Sequence, residues 1–411
     1  MALIPIDQID YAYIERLIEN TVYEDSHIEY KAELKFKTDD DKKELLADVS
    51  SFANAGGGNI IYGVKEGQEG EPAIISPLDD FRLDEGIARI RSILEDGIDP
   101  RVPGLEIRAI TEGKLSPLIV IHIPQSWLAP HMMTLKGRSR FVARKGNIKH
   151  DLNVQEIRNA FAMSEELPRR IERFRDERLA LILSDRGIIP VGHTGKIVIH
   201  FIPMSAVAGR TQIEMEELIV HADSGSVFQC TSNSARFNVQ GWLKYVPLRS
   251  KDFGAAYVQY FRNGIIEAVD TTTILPVFQK KLEYKNRPNM ESGGLVFVPA
   301  RKLEEILIAE VMNAVGYFKK AGIEFPIYVY ITVTGLQGVG LLAQGEKSLW
   351  RAHNEGTDAT IQEDVLLLPS IEMSKEPEDV GRFLKPAFDV LWQASGRAFA
   401  PHYDKNVNYK H

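Results

Sequence analysis

A chain of 411 residues, 44% hydrophobic and 26% charged, has the composition of a soluble globular protein long enough for two or three domains. Its net charge of −8 gives no global electrostatic footprint for nucleic acid, so such a role has to rest on a local basic surface or on catalysis by acids. One cysteine, Cys230, excludes an intrachain disulfide framework and a Cys-rich zinc site. No window approaches about 18 uninterrupted apolar residues, and the opening MALIPIDQIDYAYIERL has neither the basic nor the apolar region of a signal peptide, so a cytoplasmic protein without a membrane span is expected.

Residues 7–20 set Ile9, Tyr13, Ile14, Leu17 and Ile18 at helical spacing, which predicts a short amphipathic helix. His27 to Phe36 alternates: Ile28, Tyr30, Ala32, Leu34 and Phe36 oppose His27, Glu29, Lys31, Glu33 and Lys35. That is the pattern of a half-buried strand with a charged face. Thr38 to Asp41 opens a helix carrying Leu45, Leu46, Val49, Phe52 and Ala53, which Asn54 and Gly56 end. Asn59 to Val64 reads as a second strand, and Leu83, Ile87, Ile90, Ile93 and Leu94 as another helix. Leu105–Ile110 and Leu118–Ile123 form a hairpin across Glu112-Gly113-Lys114, and Arg140–Arg144 a short strand. Asn153 caps a helix from Val154 to about Met163, and a long charged helix follows Pro168 to about Leu183.

The second half reads as a mixed α+β domain. Lys196–Ile202 is a strand, and Ala256–Phe261 and Ile265–Val269 flank Asn263-Gly264, a strong hairpin signal. Leu295–Val298, a helix from Ala300 to about Lys320, Pro326–Val333 and a helix from Phe383 to about Ala394 follow. The closing HYDKNVNYKH is expected to be disordered. Trp127, Trp242, Trp350 and Trp392 are read as packing residues, and His122, His131 and His150 lack metal-ligand spacing.

Three features bear on chemistry. Gly56-Gly57-Gly58 has the wrong order for a phosphate loop, because the helix precedes the glycines and a strand follows; a tight turn and close helix–sheet packing are expected instead. Glu29, Lys31, Glu33 and Lys35 are either a solvated strand face or a catalytic one. Glu24 joins Glu29 only if the chain turns near Asp25-Ser26, since residues five apart on a regular strand point to opposite faces. Lys136, Arg138, Arg140, Arg144, Lys145 and Lys149 form a basic run, either a solvated hairpin rim or a surface that tracks a nucleic-acid backbone.

Glu29-Tyr30-Lys31, SFANAGGGNIIYGV, PLIVIHIPQSWLAPHM and RSRFVARKGNIKHDLNVQEIRNAF, in that order, resemble the Schlafen AlbA-type domain over about residues 20–162. The resemblance implies an endoribonuclease that cleaves tRNA or tRNA-like RNA with Mg²⁺ or Mn²⁺, using three acids and a lysine. Bacterial relatives suggest phage defence as its setting. The family pattern of an acid, four residues, then acid-x-lysine fits Glu24, Glu29 and Lys31. The third acid, usually Asp, falls on Lys65 or Glu66: with Glu66 the trio survives, with Lys65 the metal site is weakened.

The expected fold class is therefore α+β. A Schlafen AlbA-like mixed sheet with flanking helices spans residues 1–162, a linking helix 163–185, and a second mixed α+β domain of no recognised family 186–411. Glu24, Glu29 and Glu66 would hold the metal and Lys31 would assist, while the basic run Lys136 to Lys149 would bind RNA. Animal Schlafen cores pair two such lobes, so a homodimer is expected here. The rival reading is a non-catalytic nucleic-acid-binding protein such as a transcriptional regulator. It requires Arg140 and Arg144 but neither Glu29 nor metal.

Overall fold

A computed structural model of the chain describes residues 6–67, 71–79, 81–111, 117–191, 195–222, 234–247, 254–273, 296–343 and 360–410. The turn at Glu112-Gly113-Lys114, Cys230, Leu295 and Trp350 lie outside the described residues. The chain forms two compact units, Met1–Glu166 and Leu167–His411. Both are mixed α+β.

The first unit runs α1 (Tyr11–Glu19), β1 (Ile28–Lys31), α2 (Asp39–Ala53), β2 (Gly58–Tyr62), β3 (Val64–Glu66), β4 (Pro72–Ile75) and α3 (Leu83–Gly97). Then come β5 (Ile98–Asp99), β6 (Glu106–Ile110), β7 (Leu118–Ile123), β8 (Met132–Leu135), β9 (Arg138–Lys145) and β10 (Ile148–Asp151). One sheet has the order β1-β2-β7-β6, with β1 parallel to β2 and the other pairs antiparallel. A second has the order β10-β9-β8-β5, and β3 pairs with β4 apart from both.

Alternation along the strands decides what each face carries. Ile28, Tyr30, Ile61 and Val120 cluster with Ile14 and Leu17 of α1. Ile60, Tyr62, Ile119 and Ile121 cluster instead with Leu46, Val49 and Phe52 of α2 and Ile90 of α3. With Ile28 and Tyr30 committed to the α1 side, Glu29 and Lys31 are left facing α2. Thr38 starts α2 with a reciprocal cap: its side chain accepts from Asp41 N–H, and Asp41 accepts from Thr38 N–H.

β1 ends at Lys31 rather than at Phe36. Its partner β2 ends at Tyr62, where Gly63 takes a left-handed φ of 95° and donates its N–H to Lys31 O at 2.7 Å. Leu34 and Phe36 still pack on the core from irregular backbone, which is why the sequence alternation runs on past the strand. The triple glycine serves a turn and close packing. Gly57 has φ 76°, and a Cβ on Gly58 would lie 2.3 Å from the Phe52 ring and 2.7 Å from His27 O. Asn54, the cap that follows α2, then clamps β9 and the residue before β8: its Nδ2 donates to His131 O at 2.8 Å and Val142 O at 2.9 Å, and its Oδ1 accepts from His131 N–H at 2.6 Å.

The helix expected to end near Met163 is instead one continuous helix, α4 (Val154–Leu183), with Pro168 inside it. Proline removes one helical hydrogen bond, but Leu167 before it and Ile171, Leu179 and Ile182 past it keep the apolar spacing and are buried.

In the second unit, β11 (Ile197–Pro203), α5 (Met204–Val207), α6 (Met215–Ala222), β12 (Ala235–Asn238), β13 (Gly241–Pro247), β14 (Gly254–Phe261) and β15 (Ile266–Asp270) come first. They are followed by β16 (Val296–Pro299), α7 (Ala300–Lys320), β17 (Ile327–Thr334), β18 (Val339–Leu342), β19 (Val365–Leu367), β20 (Ile371–Met373) and α8 (Val380–Gln393). The main sheet has the order β12-β13-β14-β15-β11-β17-β19, with β20 also on β17. The Asn263-Gly264 hairpin joins β14 and β15 as the sequence indicates. Leu303, Leu307 and Val311 of α7 and Phe388 and Trp392 of α8 fill one core. The closing segment is ordered through its aromatics. Tyr403 pairs with Tyr409, both are buried, and His402 Nδ1 lies 2.7 Å from Glu304 Oε2. Among the described residues no helix is long and apolar enough to cross a membrane.

Candidate functional site

Beside β1, α2 and β3 lies a cavity of about 530 Å³. Seven carboxylates line it, Glu24, Glu29, Glu33, Asp41, Glu44, Asp48 and Glu66, against three lysines, Lys31, Lys35 and Lys65. The sequence-predicted Glu24, Glu29, Lys31 and Glu66 all lie on this lining.

Each arrives by a local device. Glu24 precedes a bend in which Asp25 Oδ1 accepts from His27 N–H at 2.6 Å and Ile28 N–H at 3.0 Å. That bend carries Glu24 back along β1, where its Oε1 accepts from Tyr30 N–H at 2.8 Å. β1 is an edge strand of its sheet, so this carboxylate satisfies an edge donor. Glu66 lies on β3, whose register slips between Lys65 and Glu66. Neighbours on a regular strand point apart; the irregularity lets Lys65 and Glu66 line the same cavity.

Burial pushes the Glu24 carboxyl above its ordinary pKa; the hydrogen bond from Tyr30 opposes this, and the charges of Glu66 and Glu29 raise it further. Glu24 therefore feels both other members of the predicted trio. Glu29 is only 8% exposed. Its Oε2 accepts from Arg144 Nη1 at 2.9 Å, and its Oε1 lies 3.4 Å from Lys31 Nζ.

Two residues of α2 complete the site without having been singled out from the sequence. Lys31 Nζ donates to Glu44 Oε1 at 2.8 Å and lies 3.2 Å from Asp48 Oδ2. Asp48 is 1% exposed, and Lys149 Nζ donates to its Oδ1. Burial, then the charge of Glu29, push the Asp48 carboxyl up, against Lys31 and Lys149. Burial works against the Lys31 ammonium, but Asp48, Glu44 and Glu29 outweigh it and hold its pKa above the ordinary lysine value. Asp48 was legible in principle: it stands three residues after Leu45 and four before Phe52, on the apolar stripe of α2.

The basic run divides. Arg144 is buried, with its guanidinium carbon 3.7 Å from the Phe52 ring centroid and its Nε donating to Gly146 O at 3.1 Å. It holds Glu29 and is not part of an exposed surface. Lys149 holds Asp48, Lys136 pairs with Asp39, and Arg140 grips Asp151 Oδ1 through Nε at 3.0 Å and Nη2 at 2.6 Å. Arg138 and Lys145 are exposed and make no ion pair among the described residues.

Carboxylate oxygens are the right donors for Mg²⁺ or Mn²⁺. Among the described residues, no group of three or more His, Cys, Asp or Glu side chains is arranged to hold a metal ion. Mg²⁺ does not need one: it commonly takes one or two carboxylates and completes its shell with water and substrate phosphate. Glu24 and Glu66 line the same cleft, and the negative charge of Glu66 adds to what raises the Glu24 carboxyl.

No curated protein matches the chain. Among solved structures it is similar to the N-terminal domain of a RecG-related protein from Nitrosomonas europaea, with 20% identity, a TM-score of 0.25, and coverage of 32% of this chain and 84% of that one. It is also similar to the DIP2311 protein from Corynebacterium diphtheriae, with 17% identity, a TM-score of 0.25, and coverage of 34% and 26%. Residues 24–153, a stretch that contains the whole acidic cleft, match the family described as Schlafen, AlbA_2.

Proposed function

We propose that the first unit is a metal-dependent endoribonuclease acting on tRNA-like structured RNA, with the acidic cleft as its active site. The observation that carries the reading is the sharing of one cleft by Glu24, Glu29, Glu66 and Lys31, with the Glu24 carboxyl raised in part by the other two acids. The Schlafen AlbA_2 domain supports a nucleic-acid-related role, and the Schlafen resemblance supports RNA as the substrate.

Glu24 and Glu66, with Glu29 beside them, would hold Mg²⁺ or Mn²⁺. When bound, such an ion neutralises developing charge on a phosphodiester and positions the attacking oxygen. The chain's own residues supply the rest. Lys31 stays charged because three carboxylates surround it, so its ammonium can donate to a non-bridging phosphate oxygen as charge accumulates there. Arg144 fixes Glu29 from the buried side and leaves the opposite oxygen toward Lys31 and the cleft. Asp48 and Glu44 hold the lysine chain in place.

A second reading has a specific observation in its favour. Glu29 is already matched by Arg144 and Lys31, and no three-acid ligand group is preformed among the described residues. On that reading the domain grips nucleic acid without cutting it.

One experiment separates the two. The purified 411-residue chain is incubated with tRNA in Mg²⁺, in Mn²⁺ and in EDTA, alongside Glu66→Gln. Glu66 is exposed, so its substitution leaves the fold in place. Metal-dependent cleavage, lost in EDTA and reduced at least about 100-fold in Glu66→Gln, is expected, as for the loss of a group acting on the transition state. Tight, salt-sensitive binding with no cleavage in either metal would establish the second reading instead.

A further inference from the structure

A second, larger cavity of about 1280 Å³ adjoins the acidic cleft, and Ala32, Glu33, Lys35 and Lys65 line both. Its walls are the irregular stretch after β1 and one face of α3. Its charge is opposite to that of the cleft. Lys35, Lys37, Lys65, Arg82 and Arg89 outnumber Glu33, Asp79 and Glu85 along it, in a chain whose net charge is −8. All five cations are exposed.

The local sequence keeps this groove open. Arg82, Glu85, Gly86, Arg89 and Ser92 recur at spacings of three and four, so α3 presents them on one face. Gly86 is forced to be small, because a Cβ there would lie 2.4 Å from the Phe81 ring. Phe81 and Phe36, both half-buried and both lining the groove, meet edge to face at 6.4 Å and give it an apolar floor. A groove with cations on its walls and aromatic rings on its floor is the arrangement that holds unpaired nucleotides: phosphates meet the cations and bases meet the rings. The β8–β10 run is poorer in available charge. Lys136, Arg140, Arg144 and Lys149 already hold Asp39, Asp151, Glu29 and Asp48. In the groove Lys35 pairs with Glu33 and Arg82 with Glu85, which leaves three cations, Lys37, Lys65 and Arg89, without an ion pair among the described residues, against two, Arg138 and Lys145, on the β8–β10 run.

We propose that this groove binds a single-stranded stretch of RNA, such as a loop of a structured RNA, and leads its backbone into the acidic cleft through Lys35 and Lys65. The inference rests on the reading of the cleft as the catalytic site, and it names where the substrate of that site lies.

The test measures binding and cleavage separately. Binding of a labelled single-stranded oligoribonucleotide of about a dozen nucleotides to the 411-residue chain is followed by fluorescence anisotropy in EDTA, across a salt series. The variants are Lys37→Glu/Arg89→Glu in the groove and Arg138→Glu/Lys145→Glu on the β9 edge. All four positions are exposed, and unchanged circular dichroism and melting confirm the fold. The groove pair is expected to weaken binding at least about tenfold. It should also flatten the salt dependence by about 1.4 in log–log slope, two lost phosphate contacts at about 0.7 each. The β9 pair is expected to change binding by less than about threefold. Wild-type binding by the groove pair, an equal loss in the β9 pair, preference for duplex over single strand, or no binding by the wild type overturns the inference. Failure of the nuclease reading is seen elsewhere, as groove-dependent binding by a chain that cleaves no RNA in any metal.

Discussion

Replacing Arg144 by methionine tests whether this residue holds the site or touches the ligand. Its side chain is 0% exposed and the side chain of its partner Glu29 is 10% exposed, across a 2.9 Å contact. Removing the guanidinium leaves a desolvated carboxylate, which typically costs about 3–5 kcal/mol. Lys31 remains 3.4 Å from the other Glu29 oxygen, which places the loss at the lower end. The packing of the guanidinium on Phe52, at 3.7 Å, adds about 1 kcal/mol. Each kcal/mol lowers the melting temperature of a unit this size by about 2–4 °C, so a combined loss of about 4 kcal/mol gives an expected fall of roughly 8–16 °C. Urea and thermal unfolding of the full chain, followed by signals from the first unit, measure it, with Arg138→Met as the exposed control at about 0.5 kcal/mol or less. Adding Glu29→Gln to Arg144→Met should recover part of the loss, because the stranded charge is gone. If Arg144→Met is as stable as the control and loses only nucleic-acid binding, the buried-pair account is refuted.

Two further predictions concern buried carboxylates. Burial, then Glu29, raise the Asp48 carboxyl, so its ionised form opposes folding above its folded-state pKa, and that cost is relieved as pH falls toward the ordinary value of 3.8. Asp48→Asn should therefore flatten the pH dependence of first-unit stability across the acidic range; a variant whose unfolding midpoint tracks wild type at every pH contradicts this. In the second unit Glu267 is fully buried, accepts from Arg178 Nε and Nη2 at 2.7 Å each and from Tyr257 at 2.8 Å, and is lowered to about 2 despite its burial by Arg178 and His200. Its stabilising contribution is present above the ordinary 4.5 and is lost as pH falls through about 2. Glu267→Gln strands Arg178 and should cost about 3–5 kcal/mol near neutral pH in urea unfolding, a loss of under about 1 kcal/mol being the contrary result.

Local chemistry was readable in the sequence where it is local in space. Thr38 and Asp41 announce the start of α2, and Asn263-Gly264 the hairpin of β14 and β15. The turn at Asp25-Ser26 that brings Glu24 to Glu29 follows from the turn preference of both residues. What was not legible depends on partners distant in sequence. Arg144 reads as one cation in a basic run, yet 115 residues separate it from the carboxylate that buries it. β1 reads as a long strand because Leu34 and Phe36 reach the core from irregular backbone, and only the end of β2 at Tyr62 sets its limit. Asp48 lay within reach, since a carboxylate on an apolar helix stripe calls for a buried partner, but that partner could not be named. The closing segment reads as polar, and its burial rests on Tyr403 and Tyr409 meeting α7 and α8.

The burial of Glu29 also chooses the probe. Glu29→Ala would strand Arg144 and mix unfolding with loss of chemistry, whereas Glu66 is exposed and its charge acts on Glu24 in the cleft. The most direct measurement is the rate of tRNA cleavage by the wild-type 411-residue chain and by Glu66→Gln, in Mn²⁺, at equal folded fraction. The account predicts cleavage by the wild type and a loss of at least about 100-fold in the variant. Equal rates in the two proteins would contradict it.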